Sequence, residues 1–446
     1  MTQAQHVSPL RGTHIWLAGM GTALSALTVA GPALHGRLGG WALIVVFALG
    51  SLGALAATRL GETGDQKTAL LIILMSALAM RLGLLAIEPT LSGDIYRYIW
   101  DGRVQAAGIN PYRYVPAAEE LAPLRDAAIW PNINRASYAV TIYPPVAQAV
   151  FLALTHMGET VLTMKAGLML FEAAAVAAIV ALLGRLGLPS TRVAAYAWHP
   201  LPVWEIAGNG HVDAAMLAFL CIGLLAFARG NTLAGGLLVT LGALVKPVAL
   251  LVLPVLWRPW NWRLPLLVAA TIAVAYLPFA SAGAGVLGFL PGYLHEEGFT
   301  SGGGYKLLWL IESFSGPLAH GVAVFVALSA VLLVGLAVAI GFRPDRSLEA
   351  SLHAARWLLV LFLILISPHY PWYFLVLAPF LALAPSAATW VLTSTSVLFY
   401  DVVPNDNLPA YEPRIAVFTL ATLAALAYDL WCQWRGPVGV ALRGAS

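Results

Sequence analysis

"IYPPVAQAVFLALTHM", residues 142–157, decides how the chain is threaded. The stretch is apolar, yet it has only 16 residues and opens on two prolines. A membrane-spanning helix needs about 20 apolar residues, and proline lacks the N–H that a helix interior requires. Other apolar runs lie at 14–34, 41–58, 68–87, 163–184, 191–207, 211–228, 232–246, 247–257, 263–281, 316–341, 355–368, 371–385, 387–402 and 412–433. Let these alternate from a cytoplasmic N-terminus. Arg11, Arg59, Lys67, Arg185, Arg192, Arg229, Arg258, Arg263, Arg343, Arg346, Arg356, Arg435 and Arg443 then share the inner side. Membrane proteins keep their basic loops in the cytoplasm in this way. If 142–157 also spanned, Arg185, Arg192 and most later basic connections would flip outward. The stretch therefore reads as an interfacial or re-entrant helix within one long outer loop, 88–162.

Composition points the same way. Of 446 residues, 60% are hydrophobic and 10% charged, with mean hydropathy +0.81. A soluble domain carries roughly 25% charged residues, so this chain cannot cover a water-facing surface. The fold class expected is an all-α polytopic membrane protein with about 13–14 spanning helices. The runs either side of Lys246-Pro247 read as one helix broken by proline. The first run, from near His14, lacks a small-residue cleavage site and reads as a retained helix. Residues 1–446 read as one integral membrane domain, with 1–67 an added helix pair and 282–315 a second outer loop. Cys221 and Cys432 lie in apolar runs and read as unpaired. No Walker A, GxGxxG, HExxH or zinc-type cysteine spacing occurs, so a nucleotide-sugar donor is not expected. Lysines are few and form no basic face, so neither is nucleic acid.

Polar residues gather in the segments assigned to the outside. "SGDIYRYIWDGRVQAAGINPY", 92–112, directly follows the run ending at Ile87. The others are "GNGHVD" (208–213), "HEEGFTSGGGYK" (295–306), "SPHYPWYF" (367–374) and "DVVPNDNLPAYEP" (401–413). Chemistry at the outer face, fed from the bilayer, would produce this asymmetry.

With these segments in view, the chain resembles the C-type (GT-C) membrane glycosyltransferases. It is most similar to the bacterial polyprenol-phosphate-mannose-dependent mannosyltransferases. "GDIYRYIWDGRVQAAGINPYRYVP" (93–116) resembles their first outer loop in its Asp, the following Gly and "NPY", and "YPP" follows later. The specific likeness is confined to 92–150. The chain departs by placing two helices before the one that leads to the loop. The resemblance implies a polyprenyl-monophosphate sugar as donor, a hydroxyl of a glycan or glycolipid as acceptor, and transfer outside the cytoplasm. It implies no cofactor besides that donor.

Inverting transfer needs a carboxylate to take the acceptor's proton, and cations or N–H groups to hold the leaving phosphate. Asp94 fits the base, as the resemblance also implies; its other reading is a helix N-cap. Asp101 reads either as a surface pair with Arg97 or as a carboxylate holding acceptor hydroxyls. Tyr98 and Tyr112 read as interfacial aromatics or as sugar platforms. Glu205, His211 and Asp213 flank a Gly-Asn-Gly turn. They read as turn and cap residues or as acceptor-binding groups, and the resemblance favours Asp213; spacing alone makes a weak case for a metal. Lys246 and Arg81 read as snorkelling cations or as partners of the donor phosphate. His295 and Glu296 belong to a glycine-rich loop, either facing an acceptor or simply solvated. His369 reads as a contact to donor phosphate or sugar, with Tyr370 beside it. Glu172 lies mid-run, and spacing gives it no partner.

Overall fold

The computed structural model describes residues 9–62, 65–400 and 411–435. Among these residues the chain is helical, with no strand. The main helices are α1 (Pro9–Leu38), α2 (Gly40–Gly61), α3 (Gln66–Leu85), α4 (Asp94–Ala106), α5 (Pro145–Met157), α6 (Val161–Arg185), α7 (Asp213–Ala228) and α8 (Thr232–Ala243). They continue with α9 (Arg263–Tyr276), α10 (Leu290–Glu296), α11 (Lys306–Ser315), α12 (Gly321–Phe342), α13 (Leu348–Ile366), α14 (Ala387–Thr395) and α15 (Tyr411–Arg435). Eight of the described helical spans are long and apolar enough to cross a membrane, and six shorter ones are apolar. The chain is thus an all-α polytopic membrane protein. Several of the short runs are broken where prolines fall. Residues 190–208 form four short pieces around Pro200 and Pro202, the last a π-helical turn at Val203–Gly208. Lys246-Pro247 ends α8 and starts a 3-10 turn. The outer segment 401–413 lies mostly outside the described residues.

The deciding stretch becomes α5. Thirteen residues make a helix about 20 Å long, short of the ~30 Å hydrocarbon core. Its Val146 and Ala147 amides, free at a helix start, donate to the Leu244 carbonyl at 3.0 and 3.2 Å. Its flank packs on α4: Tyr98 stacks on Phe151 with centroids 4.5 Å apart. Gly102 permits that approach, because a Cβ there would sit 2.7 Å from the Phe151 carbonyl oxygen. So α5 ties the first polar loop to the break at Lys246.

The helices share a polarity. α3, α8 and α13 each run toward the polar loops and start near Lys67, Arg229 and Arg346. α7 runs the other way, from Asp213 to Arg229. At the basic end Arg192 pairs with Glu62 at 2.9 Å, and Arg343 and Arg346 donate to the Val255 and Trp257 carbonyls. At the polar end two lysines close helix C-termini. Lys165 donates to the Leu84 carbonyl in the last turn of α3 and to the Ile87 carbonyl beyond it, and Lys306 to the Ser367 and Pro368 carbonyls beyond α13. The pair α1–α2 packs on α3 and on residues 190–208, where Phe47 meets Trp204 and Tyr400.

Candidate active site

At the polar end, segments far apart in sequence enclose a cavity of about 300 Å³. Its wall carries Asp94, Arg97, Asn134, Arg135, Tyr143, Lys246, Tyr293, Tyr370, Trp372 and Tyr373.

Asp94 is the first residue of α4, and Gly93 occupies the cap position. The capping alternative therefore falls away. One carboxylate oxygen accepts from the Asn134 side-chain amide at 3.1 Å. Arg97 also lines the cavity, donating to the Asp101 carboxylate at 2.8 Å and to the Ala139 carbonyl at 3.1 Å. The expected surface pair Arg97–Asp101 is in fact buried, at 5% and 2% exposure. The other Asp101 oxygen accepts from Thr141 (2.5 Å) and Gln148 (3.0 Å). Asp101 is thus a brace between α4, α5 and the loop before it, with no oxygen turned to the cavity. Sequence spacing could not show this, because Thr141 and Gln148 come from beyond the helix.

Lys246 also lines the cavity. Its ammonium lies 2.6 Å from Asp213, the first residue of α7, and 4.9 Å from the Tyr373 ring centroid. Asp213 is buried behind it. The other members of the Gly-Asn-Gly constellation turn away. His211 meets Glu205 at 3.2 Å, and Glu205 also accepts from Asn209 and Tyr400. Both are sealed off by Trp372, which stacks on His211 at 4.3 Å and on Tyr370 at 4.5 Å. Glu205 and His211 support the aromatic wall, and they do not form a triad with Asp213. Gly210 makes this turn possible with φ 73°.

Tyr98 and Tyr112 sit in the packing behind the wall, not on it. Tyr98 is covered by Phe151 and Tyr143, and the Tyr112 hydroxyl donates to the Tyr143 carbonyl at 2.6 Å. His369 also lies off the wall: it meets Glu297 at 2.9 Å and stacks on Phe299. Exposed His295 meets Thr300 at 2.9 Å. Arg81, read as a snorkelling cation or a partner of the donor phosphate, has instead a partner 91 residues away. It binds Glu172 through two N–H···O bonds of 2.8 and 2.6 Å. That contact also supplies the partner Glu172 lacked.

Asn134, Arg135 and Tyr293 escape sequence reading altogether. "PNINRASY" (131–138) carries no motif. Yet Arg135 adopts φ 54°, in the left-handed region, and pairs with Glu296 at 2.7 Å and Glu297 at 3.8 Å. Burial works against the Arg135 charge, but Glu296 outweighs it and raises the guanidinium further. Burial pushes the Tyr370 phenol up to about 12, so it stays protonated. The only advance signal was the asparagine pair, which favours turns.

A model of the alpha-(1->6)-mannopyranosyltransferase family, N-terminal domain, matches residues 12–272. That span holds Asp94, Arg97, Asn134, Arg135, Asp213 and Lys246, while Tyr293, Tyr370, Trp372 and Tyr373 complete the wall from beyond it. No curated protein and no solved structure matches the chain. The matched span exceeds half the chain, and the chain belongs to this family of membrane mannosyltransferases.

Proposed function

We propose that the protein is a GT-C enzyme that moves mannose from a polyprenyl-monophosphate donor to a hydroxyl of a glycan or glycolipid, inverting the anomeric centre, with Asp94 as general base. One observation carries this. Among the described residues, the carboxylates around the cavity are taken by cations or by His: Asp101 by Arg97, Asp213 by Lys246, Glu296 by Arg135 and Glu297 by His369. Asp94 faces the cavity with an amide as its contact. A carboxylate paired with a cation is a poor base, because the full charge holds it ionised far more strongly than a neutral amide does.

In this reading the acceptor oxygen attacks the anomeric carbon from the side opposite the phosphate. Asp94 takes the hydroxyl proton as the sugar–phosphate bond breaks. The polyprenyl phosphate leaves with the electron pair of that bond. Lys246, Arg97 and Arg135 supply N–H donors to its charge, as catalysis by fixed dipoles requires. Tyr370, stacked on Trp372, offers its other ring face to the sugar. No cofactor beyond the donor is called for. The polyprenyl chain would lie along α9 and α10, whose Leu266, Val274, Leu290 and Leu294 are exposed.

The cavity end would face outward from the cytoplasmic membrane. The support is the shared polarity of α3, α7, α8 and α13, which sets the basic loops at the far end. A secondary transporter does not fit a mannosyltransferase family. A glycan polymerase differs in using a lipid diphosphate donor. Purified protein given radiolabelled polyprenyl-phosphate mannose should form a product of inverted configuration. Transfer from a nucleotide sugar or lipid diphosphate instead, or retained configuration, would overturn the reading. A single cysteine at Ser190 tests orientation: labelling only from outside would reverse it.

A further inference from the structure

We infer that Asn134 is a positioning residue for Asp94, held in place by the left-handed turn at Arg135. The inference rests on the base assignment above and adds to it a named device that aims the base. Asp94 has two oxygens, and Asn134 donates to one of them at 3.1 Å. An amide N–H bound to one oxygen fixes the rotation of the carboxylate, leaving the other to an acceptor.

The donor comes from a loop 40 residues on, so something must hold that loop. Arg135 does so in two ways. Its backbone sits at φ 54°, a conformation in which a non-glycine side chain is strained. The carbonyl of this turned residue accepts the Tyr138 and Ala139 amides at 3.3 and 3.0 Å, closing a tight turn. Its guanidinium is clamped by Glu296 and Glu297, and lies 5.7 Å from the Tyr293 ring centroid. Strain of this kind persists only where surrounding contacts over-determine it. The consequence of the turn is that adjacent side chains diverge: Asn134 toward Asp94, Arg135 toward α10.

The α10 end of this clamp is set by a turn on either side. Positive-φ glycines bracket α10, Gly288 before it (φ 58°) and Gly298 after it (φ 72°). Asp94 geometry is thereby joined to the segment that carries Tyr293.

The charged groups lining the cavity with Asp94 are Arg97 on its own helix, Arg135 on the loop, and Lys246, with Asp213 behind Lys246; Glu297 stands behind Arg135. Lysine and arginine ordinarily titrate at about 10 and above, far from the acidic limb of a pH–rate profile. Tyr370 stays protonated through that range as well. The acidic limb is therefore compared between each variant and wild type, a difference to which these cations and Tyr370 do not contribute.

An N–H donated to a carboxylate favours its ionised form, so removing the donor disfavours the ionised base. The base works deprotonated. The acidic limb of kcat must then move to higher pH. Asn134→Ala should move it by about one unit, and lower kcat at its plateau roughly 10-fold with KM for donor little changed. Asn134→Asp, which removes the donor and adds a like charge, should move it further. Asn134→Ser, which keeps a donor, should fall between wild type and Asn134→Ala. Arg135→Ala should shift the limb in the same direction by less. Asn134 is exposed, so these variants should fold, and thermal melting of the purified proteins checks it.

A structural role for Asn134 would lower activity at every pH with the limb unmoved, and that result would overturn the inference. So would identical limbs for Asn134→Asp and Asn134→Ala. The base assignment fails separately: near-wild-type transfer by Asp94→Asn would sink it, whatever the Asn134 variants do.

Discussion

Arg81–Glu172 and Lys246–Asp213 are both ion pairs set among apolar helices, and they differ in what remains of each charge. Arg81 uses Nε and Nη2 on Glu172 and Nη1 on the Ala77 and Ala197 carbonyls. Tyr196 donates to the same carboxylate at 3.3 Å. The pair staples α3 to α6 and to residues 190–208, with side chains 8% and 1% exposed. Lys246 makes one ion-pair contact of 2.6 Å and is 14% exposed, on the wall of a cavity. An ammonium has three N–H donors, and a point contact uses one. A saturated pair is structural; a pair with donors left over beside an available carboxylate is equipped for chemistry. The difference teaches that a charge inside a membrane protein is a functional candidate only until its partners are counted.

The largest effect should fall on Asp94, the carboxylate without a cation that gives the Lys246 side its meaning. Asp94→Asn keeps size and loses basicity, so mannosyl transfer should drop by about 10²–10⁴ with the melting temperature little changed. A stability loss without a catalytic defect would show the carboxylate to be structural.

Breaking the sealed pair should act on folding instead. Arg81→Ala leaves Glu172 buried and uncompensated, a cost of about 3–5 kcal/mol. Melting curves should show it, while the KM of whatever protein remains folded stays near wild type. Replacing both residues by methionine should restore most of the stability, since an apolar pair of similar volume removes the orphaned charge. A specific loss of donor affinity in Arg81→Ala would erase the contrast.

Lys246→Met should reverse that pattern. Donor KM should rise about 10–100-fold, the range of one charge-assisted contact to phosphate. Unchanged donor affinity would make Lys246 a second structural pair.

A third pair marks the exposed extreme. Arg103 meets Asp126 at 2.8 Å and Glu159 at 2.7 Å, with the acids 36% and 45% exposed. Burial alone would raise Asp126. The Arg103 contact and the Trp130 and Ile129 amides outweigh it and hold the carboxyl at about 2, below its ordinary 3.8. The ionised form is thus favoured in the folded state. Its contribution is full above pH 3.8 and is lost as pH falls through about 2. Asp126→Asn should flatten a small part of the melting curve's pH dependence in that window and leave transfer unchanged. A large loss of activity would tie this end of the loop to the cavity.

How much of this was legible in the chain varies by residue. α5 was recognisable as too short to span because length and proline are local facts. Asp94 stood out because it heads the polar, aromatic stretch just beyond a helix end and because the resemblance marks it. Asn134 and Arg135 did not stand out, since their importance lies in a backbone angle and in partners 40 and 161 residues away. Asp101 looked like Asp94 in sequence, and differs only because Thr141 and Gln148 arrive to occupy it.

By itself the sequence determined the apolar runs, the break at Pro247, and the gathering of polar segments between them. Each follows from transfer of short segments between water and lipid, and that free energy adds up residue by residue along the chain. Tertiary structure alone decided which charges are spent and which are left: Arg81 closed on Glu172, Glu205 and His211 shut behind Trp372, and Asp94 facing the cavity with Asn134 beside it. Pairing depends on distances of about 3 Å between residues far apart in the chain, and no local property of either partner encodes it.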